Sequence, residues 1–205
     1  MNPLKSVRAT IISGFVLSVV IAFLVNNDGD ILETIYERGS LVVWLHVFFG
    51  VIWIGLLYYF NFVQVPAVGD ALADEGGPGP SAINKYVAPR ALWWFRWSAL
   101  LTWITGATAL HYYLPGVSLH DAFMLKGGAI GATTIGIGAW LGTIMLFNVW
   151  VLIWPNQKKI LGIVEASTDE IAKAKNIALM ASRTNTLLSI PMLMCMVGHM
   201  HGLPL

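Results

Sequence analysis

Charged side chains are scarce in this sequence. Asp, Glu, Lys and Arg make up 11% of its 205 residues, whereas soluble domains contain about 25% of them. So little polar surface excludes a soluble enzyme and a disordered protein. The lone Cys195 has no partner for an internal disulfide, which excludes a disulfide-linked scaffold. The formal net charge of +1 gives no reason to expect a nucleic-acid partner.

The sequence contains instead long apolar stretches without any charge. They cover residues 9–27, 39–69, 97–120, 127–157 and 184–205. A helix needs about 17–25 apolar residues to cross a bilayer, and each of these stretches reaches or exceeds that length. We therefore predict an all-α integral membrane protein, a single domain over residues 1–205 that forms a five-helix bundle. The predicted spans lie near residues 9–26, 41–64, 93–114, 127–153 and 180–202.

The distribution of Lys and Arg predicts the orientation of this bundle. With the N-terminus inside, ten of the twelve cationic residues lie on the inner face, and only Arg38 and Lys126 lie outside. Cytoplasmic loops carry such an excess of cations. We expect an internal N-terminus, an external C-terminus and a location in the bacterial inner (cytoplasmic) membrane. Before the last span, Ser167 and Glu170 have the spacing of a capping box, which predicts that a helix begins there.

All five histidines fall toward the predicted outer face. His46 lies in the second span, His111 near the end of the third, His120 in an outer loop, and His199 and His201 close the fifth. Imidazole is a common ligand of haem iron, and a haem held by two histidines needs one from each of two facing helices. We predict a b-type haem in the outer leaflet, with His46 as first axial ligand and His199 preferred over His201 as the second.

Two further residues are candidates for cofactor binding. Gly50 lies one turn from His46 on the same helix face, and a glycine there would let a flat macrocycle lie against the helix. His111 stands beside two tyrosines, so a cofactor role and a role at the membrane boundary are equally open. We interpret His120, next to Asp121, as a boundary residue.

Two other interpretations of the histidines stay open. The last span also carries methionines, and thioether and imidazole groups are preferred ligands of Cu(I). A copper-binding or copper-transfer membrane protein would use Met194, Met196, His199 and His201. The third interpretation is a non-catalytic, haem-free subunit of a larger membrane complex, in which the histidines are incidental.

A second polar group is expected at the predicted inner side. It includes Arg96, Asn148, Arg183 and Asn185, which come from three different spans. Two guanidinium groups and two amides could hold an anionic substrate. Alternatively, the arginines extend toward the cytoplasmic headgroups, as long cationic side chains near span ends often do. The amide side chains are too short for that.

Several stretches resemble the membrane domain of the cytochrome c-linked urate oxidases, the urate oxidase N-terminal family. They are Trp44-Leu45-His46 through Trp53-Ile54-Gly55, Trp93-Trp94-Phe95-Arg96-Trp97 with Thr102-Trp103-x-Thr105-Gly106, Asn148-Val149-Trp150 with Ile153-Trp154-Pro155-Asn156-Gln157, and Ser182-Arg183-x-Asn185 with Pro191. Together they extend over residues 44 to 191.

This resemblance implies a helical membrane oxidoreductase domain that passes electrons to a c-type cytochrome. It points to His46, Arg96, Asn148, Arg183 and Asn185 as functional residues. The sequence contains no Cys-x-x-Cys-His haem attachment motif. We therefore expect the fused cytochrome c domain to be absent, and electrons to pass to a separate c-type cytochrome or to other subunits of a membrane complex.

Overall fold

The computed structural model describes residues 2–25, 39–112, 117–126 and 131–203, and no strand occurs among them. The all-α prediction is confirmed. The main helices are α1 (Val7–Val25), α2 (Ser40–Ala73), α3 (Ala88–Tyr112), α4 (Leu119–Phe123), α5 (Ala132–Ile160) and α6 (Thr168–His201), and a π-helical turn at Ile83–Val87 leads into α3. Residues 26, 38, 113–114 and 127–130, which the predicted spans or the outer face include, lie outside the described ranges.

In the described part of the chain, three helices are long and apolar enough to cross a membrane: α1, α2 and α5. This supports a lipid bilayer as the environment of the protein. Helices α3 and α6 cover residues 93–112 and 180–201 of the predicted third and fifth spans, but the Trp and Thr residues of α3 and the polar first third of α6 make them less apolar. That the chain crosses the membrane five times, and in which orientation, remains a prediction.

The chain divides into two compact units, Met1–Leu41 and Val42–Leu205. Helix α1 belongs to the first unit, and its sequence beyond Arg8 carries no charge. The second unit has its core where α2, α3 and α5 present large side chains and α6 presents small ones. The fully buried large side chains include Leu57, Phe95, Met145 and Val149.

Small residues bring α5 and α6 into close contact. A methyl group added at Gly138 of α5 would lie 3.2 Å from Cβ of Cys195 and 3.2 Å from Cε of Met196 on α6. Ala174, Ala178 and other small residues form the buried face of α6. Such residues allow membrane helices to approach closely, because van der Waals packing drives helix association in lipid.

Helices α2 and α5 each contain a π-helical turn, at Phe60–Gln64 and at Asn148–Ile153. A π turn inserts an extra residue into the helix and is frequent at functional sites. It also rotates the side chains that follow it relative to those that precede it. Each of the two turns carries an asparagine near its start, Asn61 or Asn148, and both asparagines bind residues of α6, as described below.

The capping box before α6 is confirmed. The Ser167 hydroxyl accepts a hydrogen bond from the Glu170 backbone N–H at 3.3 Å, and the Glu170 carboxylate accepts one from the Ser167 N–H at 2.9 Å. The second bond is the main reason why the pKa of Glu170 is lower than usual. Glu170 also forms an ion pair with Lys159 at 3.7 Å. The helix that begins here continues without interruption to His201.

Candidate functional site

His46 of α2 is bound to the backbone of α3. Its Nδ1 atom lies 2.8 Å from the carbonyl oxygen of Thr102. Because a carbonyl oxygen can only accept, Nδ1 must be the donor. A neutral imidazole with its proton on Nδ1 keeps the lone pair on Nε2, which is the state that binds a metal through Nε2. The hydrogen bond thus fixes the orientation of the His46 ring and leaves the lone pair of Nε2 available to a metal ion.

Gly106 makes this hydrogen bond possible. In a helix the carbonyl of Thr102 points toward residue 106, so a ring that reaches this oxygen must pass the side-chain position of residue 106. A methyl carbon at Gly106 would lie 2.7 Å from Cε1 and 2.8 Å from Nδ1 of His46. The sequence analysis did not select Thr102 or Gly106 as site residues, although both lie in the Thr102-Trp103-x-Thr105-Gly106 stretch of the resemblance.

Gly50, the glycine that we selected from the sequence, has a different environment. A methyl carbon at Gly50 would lie 3.7 Å from Cγ2 of Thr102, an ordinary van der Waals distance. Gly50 therefore faces α3, one turn from His46. Its predicted contact with a macrocycle stays a prediction.

His199 of α6 is held in a similar way to His46. Its Nδ1 lies 3.3 Å from the carbonyl oxygen of Gly131, just before α5, so Nδ1 is again the donor and Nε2 keeps the lone pair. His201 is the exposed last residue of α6. His111 is exposed in the last turn of α3, where its ring packs edge-on against Tyr112 with centroids 4.2 Å apart.

The two predicted axial ligands thus donate hydrogen bonds to different elements, His46 to α3 and His199 to the residue before α5. No hydrogen bond or ring contact joins the two imidazoles in the part of the chain that the structure describes. Within the same residues, no group of three or more His, Cys, Asp or Glu side chains is close enough to hold a metal ion. A haem with two axial histidines needs no such group.

Asn148 and Asn185, both selected from the sequence, are in contact. Asn148 Nδ2 donates to Asn185 Oδ1 at 2.8 Å, and Asn185 Nδ2 donates to the carbonyl oxygen of Met145 at 3.0 Å. Asn185 is 0% exposed and Asn148 is 7% exposed. A buried amide in an apolar bundle is tolerated only when its groups are paired. The pair connects α5 to α6 at the π turn of α5.

Two side chains of α2 bind the same face of α6. Asn61 Nδ2 donates to Ser182 Oγ at 2.8 Å. The Tyr58 hydroxyl lies 2.9 Å from Ser189 Oγ. Because the Ser189 hydroxyl donates to the Thr186 carbonyl at 2.7 Å, Tyr58 is the donor.

Tyr58, Ser182 and Ser189 were not predicted as site residues from the sequence, although Ser182 stands in the Ser182-Arg183-x-Asn185 stretch of the resemblance. The available signal was the spacing of Ser182, Asn185 and Ser189, which places three polar side chains on one face of a helix. Ser182, Asn185 and Ser189 thus form a row of hydrogen-bonding side chains along the face of α6 that packs against α2 and α5.

Replacing Asn185 by leucine is expected to lower the free energy of unfolding by about 1–3 kcal/mol, because the Asn148 amide would lose its buried acceptor. Leucine branches at Cγ as asparagine does but is larger, so overpacking of this fully buried position would add to the loss of hydrogen bonds. Equilibrium unfolding of the purified protein in mixed micelles measures it. The double variant Asn148→Leu/Asn185→Leu should recover part of the loss, since both amides are then removed. Unchanged stability of the single variant would contradict this role of the pair.

The two arginines lie apart from the asparagine pair. The Arg96 guanidinium stacks on the ring of Trp154, 3.8 Å from its centroid. Arg183 is exposed. Among the described residues, no hydrogen bond joins either arginine to Asn148 or Asn185. Of the four residues of the predicted anion site, the structure brings only the two asparagines together.

The sulfur-containing residues of α6 lie on different faces of that helix. Cys195 is buried against α5, while Met194 is 36% exposed. Met196 is partly buried and packs against the hydrophobic core. His201 is exposed at the end of the helix. The copper site predicted from Met194, Met196, His199 and His201 stays a prediction.

Comparison with known protein families matches residues 121–203 to the urate oxidase N-terminal family. This confirms the resemblance over α5 and α6, which carry Asn148, Arg183, Asn185 and His199. His46 lies before the matched segment, as does Arg96. No curated protein and no solved structure shows a match to this chain.

Proposed function

We propose that this chain is a membrane redox protein of the urate oxidase type, which holds a b-type haem through His46 and His199 and passes electrons to a c-type cytochrome. The observation that carries the proposal is the hydrogen bond from His46 Nδ1 to the Thr102 carbonyl at 2.8 Å. Histidines that bind metals almost always donate their other ring N–H to a carbonyl or carboxylate group. The match of residues 121–203 to the urate oxidase N-terminal family supports the redox class.

The donor set fits a haem in its chemistry. His46 and His199 each have Nδ1 occupied by a backbone carbonyl, which leaves Nε2 of both rings as a neutral nitrogen ligand. They come from two different helices, as a haem with two axial histidines requires. When bound, the haem would supply one-electron chemistry.

The residues around His46 would orient it and increase its donor strength. The Thr102 carbonyl fixes the ring tautomer and withdraws the Nδ1 proton toward itself, which makes Nε2 more basic. Gly106 leaves the space in which the ring lies. The apolar side chains of α2 and α3 would limit the access of water and so influence the reduction potential.

We propose electron transfer, rather than the binding of urate, as the role of this chain. An anionic substrate would need the guanidinium groups and amides in one place. Arg96 stacks on Trp154, Arg183 is exposed, and the two asparagines pair with each other. We therefore infer that oxidation of the substrate takes place in an assembly to which this chain contributes the membrane redox group.

Optical spectroscopy of the purified protein tests the proposal. The spectrum of the reduced protein minus that of the oxidised protein should contain a Soret band and the α band of a b-type haem. Elemental analysis should find iron in proportion to the chain. A protein without a Soret band, expressed in cells supplied with haem precursor, would overturn the proposal. Copper in place of iron would support the copper interpretation instead.

A further inference from the structure

Two cationic side chains from different helices contact one indole ring. The guanidinium of Arg96 on α3 lies 3.8 Å from the centroid of the Trp154 ring on α5, and the ammonium of Lys158 lies 5.9 Å from the same centroid. All three side chains are partly buried. The face of an indole attracts cations, which offsets part of the repulsion between the two like charges. We call Arg96, Trp154 and Lys158 the cationic cluster.

The cationic cluster has no anionic partner among the residues that the structure describes. The one ion pair in that part of the chain joins Lys159 to Glu170 at 3.7 Å. The side chains of Arg96 and Lys158 donate no hydrogen bond to a described residue. Charges that are partly removed from water are normally paired, because a partner must offset the lost hydration. Two such cations on one ring indicate an anion that comes from outside the chain.

The cluster lies at the predicted inner edge of the membrane. Arg96 is the fourth residue of the predicted third span, and Trp154 directly follows the predicted fourth span. Near Arg96, Trp93 and Trp94 are 47% and 45% exposed. Exposed indoles are typical of the boundary between lipid tails and headgroups. At this depth the two cations can reach the phosphate groups of the inner leaflet, which carries a negative surface charge.

The contact with Trp154 prepares the arginine for a phosphate. It occupies one face of the guanidinium and leaves N–H groups at the edge free to donate. The planar guanidinium matches two oxygens of one phosphate, and Lys158 adds a point charge nearby. Because the ring already restricts the Arg96 side chain, less conformational entropy is lost when an anion binds.

We propose that the cationic cluster binds the phosphate group of an anionic phospholipid, with Arg96 donating to the phosphate oxygens and Lys158 supplying a second positive charge. Basic pockets between membrane helices on the cytoplasmic side bind anionic headgroups in this way. Free phosphate offers the same oxygens but no acyl chain to lie against the exposed rings of Trp93 and Trp94. No histidine takes part, so the site is independent of the proposed haem.

Native mass spectrometry of the purified full-length protein, released from detergent micelles with added lipid, tests this inference. Phosphatidylglycerol should remain bound to the wild-type protein in preference to phosphatidylcholine, whose headgroup has no net charge. Arg96→Gln should bind phosphatidylglycerol about tenfold more weakly, because charge-assisted hydrogen bonds are lost. Lys158→Gln should weaken binding about fivefold, the usual effect of one cation near the membrane surface.

Lys159→Gln is the matched control. Lys159 is the neighbour of Lys158 in the sequence, but its charge is paired with that of Glu170. This variant has the same net charge as Lys158→Gln and should bind phosphatidylglycerol as tightly as the wild-type protein. Arg96→Lys keeps the charge without the planar guanidinium, so its affinity should lie between those of the wild-type protein and Arg96→Gln. Size-exclusion chromatography checks that the variants fold, and if Arg96→Gln does not, the two lysine variants decide.

Four results would overturn the inference. The first is unchanged affinity of a folded Arg96→Gln. The second is equal loss of binding in Lys158→Gln and Lys159→Gln, because the general charge of this face would then attract the lipid. The third is equal retention of phosphatidylcholine and phosphatidylglycerol by the wild-type protein. The fourth is calorimetric binding of inorganic phosphate as tightly as of phosphatidylglycerol, because the anion would then be free phosphate.

His46→Ala should bind phosphatidylglycerol as the wild-type protein does. Failure of the haem proposal is therefore distinguishable from failure of this one.

Discussion

His46→Ala is expected to lose the haem spectrum almost completely while the protein still inserts into the membrane. The variant removes Nε2 of His46, the proposed ligand atom. In the wild-type protein, the hydrogen bond from Nδ1 to the Thr102 carbonyl orients this atom. Alanine is well tolerated in a helix, so α2 should persist. The measurement is the haem-to-protein ratio of the purified variant, obtained from the Soret absorbance and the total protein. His199→Ala should give the same loss if it is the second axial ligand.

His120→Ala is the control for this experiment. His120 is exposed on the short helix α4 and takes part in neither the hydrogen bond of His46 nor that of His199. Its haem content should equal that of the wild-type protein. Retention of full haem content by His46→Ala would remove His46 from the ligand set. Loss in His46→Ala with retention in His199→Ala would assign the second ligand to another residue, with His201 and His111 as the next candidates.

Gly106→Ala is expected to weaken haem binding about 10- to 100-fold, the usual effect of losing a partner that orients a metal ligand. The added methyl carbon would lie 2.7 Å from Cε1 of His46, so the imidazole must move away from the Thr102 carbonyl. Alanine is more favourable than glycine within a helix by about 1 kcal/mol. The fold should therefore persist while haem binding weakens. Haem retention during dilution, measured together with the unfolding midpoint, separates the two effects.

Gly50→Ala is the matched control, because a methyl carbon there would lie at an ordinary distance of 3.7 Å from Thr102 Cγ2. It should keep the haem and be at least as stable as the wild-type protein. Equal haem retention in Gly106→Ala and Gly50→Ala would show that the hydrogen bond of His46 does not support ligation. Loss of haem in Gly50→Ala alone would instead favour the contact with a macrocycle that the sequence suggested.

The class of fold followed from the sequence because it depends on local composition. Long stretches without charge predict helices in a membrane, and the described residues are helical. The start of α6 was likewise predictable, since the capping box needs only Ser167, Glu170 and the backbone between them. Helix α2 continues past the predicted end of its span to Ala73, with the π turn at Phe60–Gln64 inside it.

The sequence also identified several residues of the candidate site, but not their partners. It selected His46, Asn148 and Asn185 because polar groups in apolar spans are costly and therefore functional or paired. Helical periodicity then placed Gly50 on the same face of α2 as His46. Periodicity describes one helix at a time, and it contains no information about which helix lies opposite that face.

Only the tertiary structure decided which groups meet. The hydrogen bond of His46 to Thr102 joins residues 56 positions apart, and that of Asn148 to Asn185 joins residues 37 positions apart. Such contacts depend on helix rotation, depth and crossing angle, which side-chain packing over the whole bundle sets. For this reason the close-approach glycine beside His46 is Gly106 on the neighbouring helix, and Asn185 pairs with Asn148 rather than with an arginine.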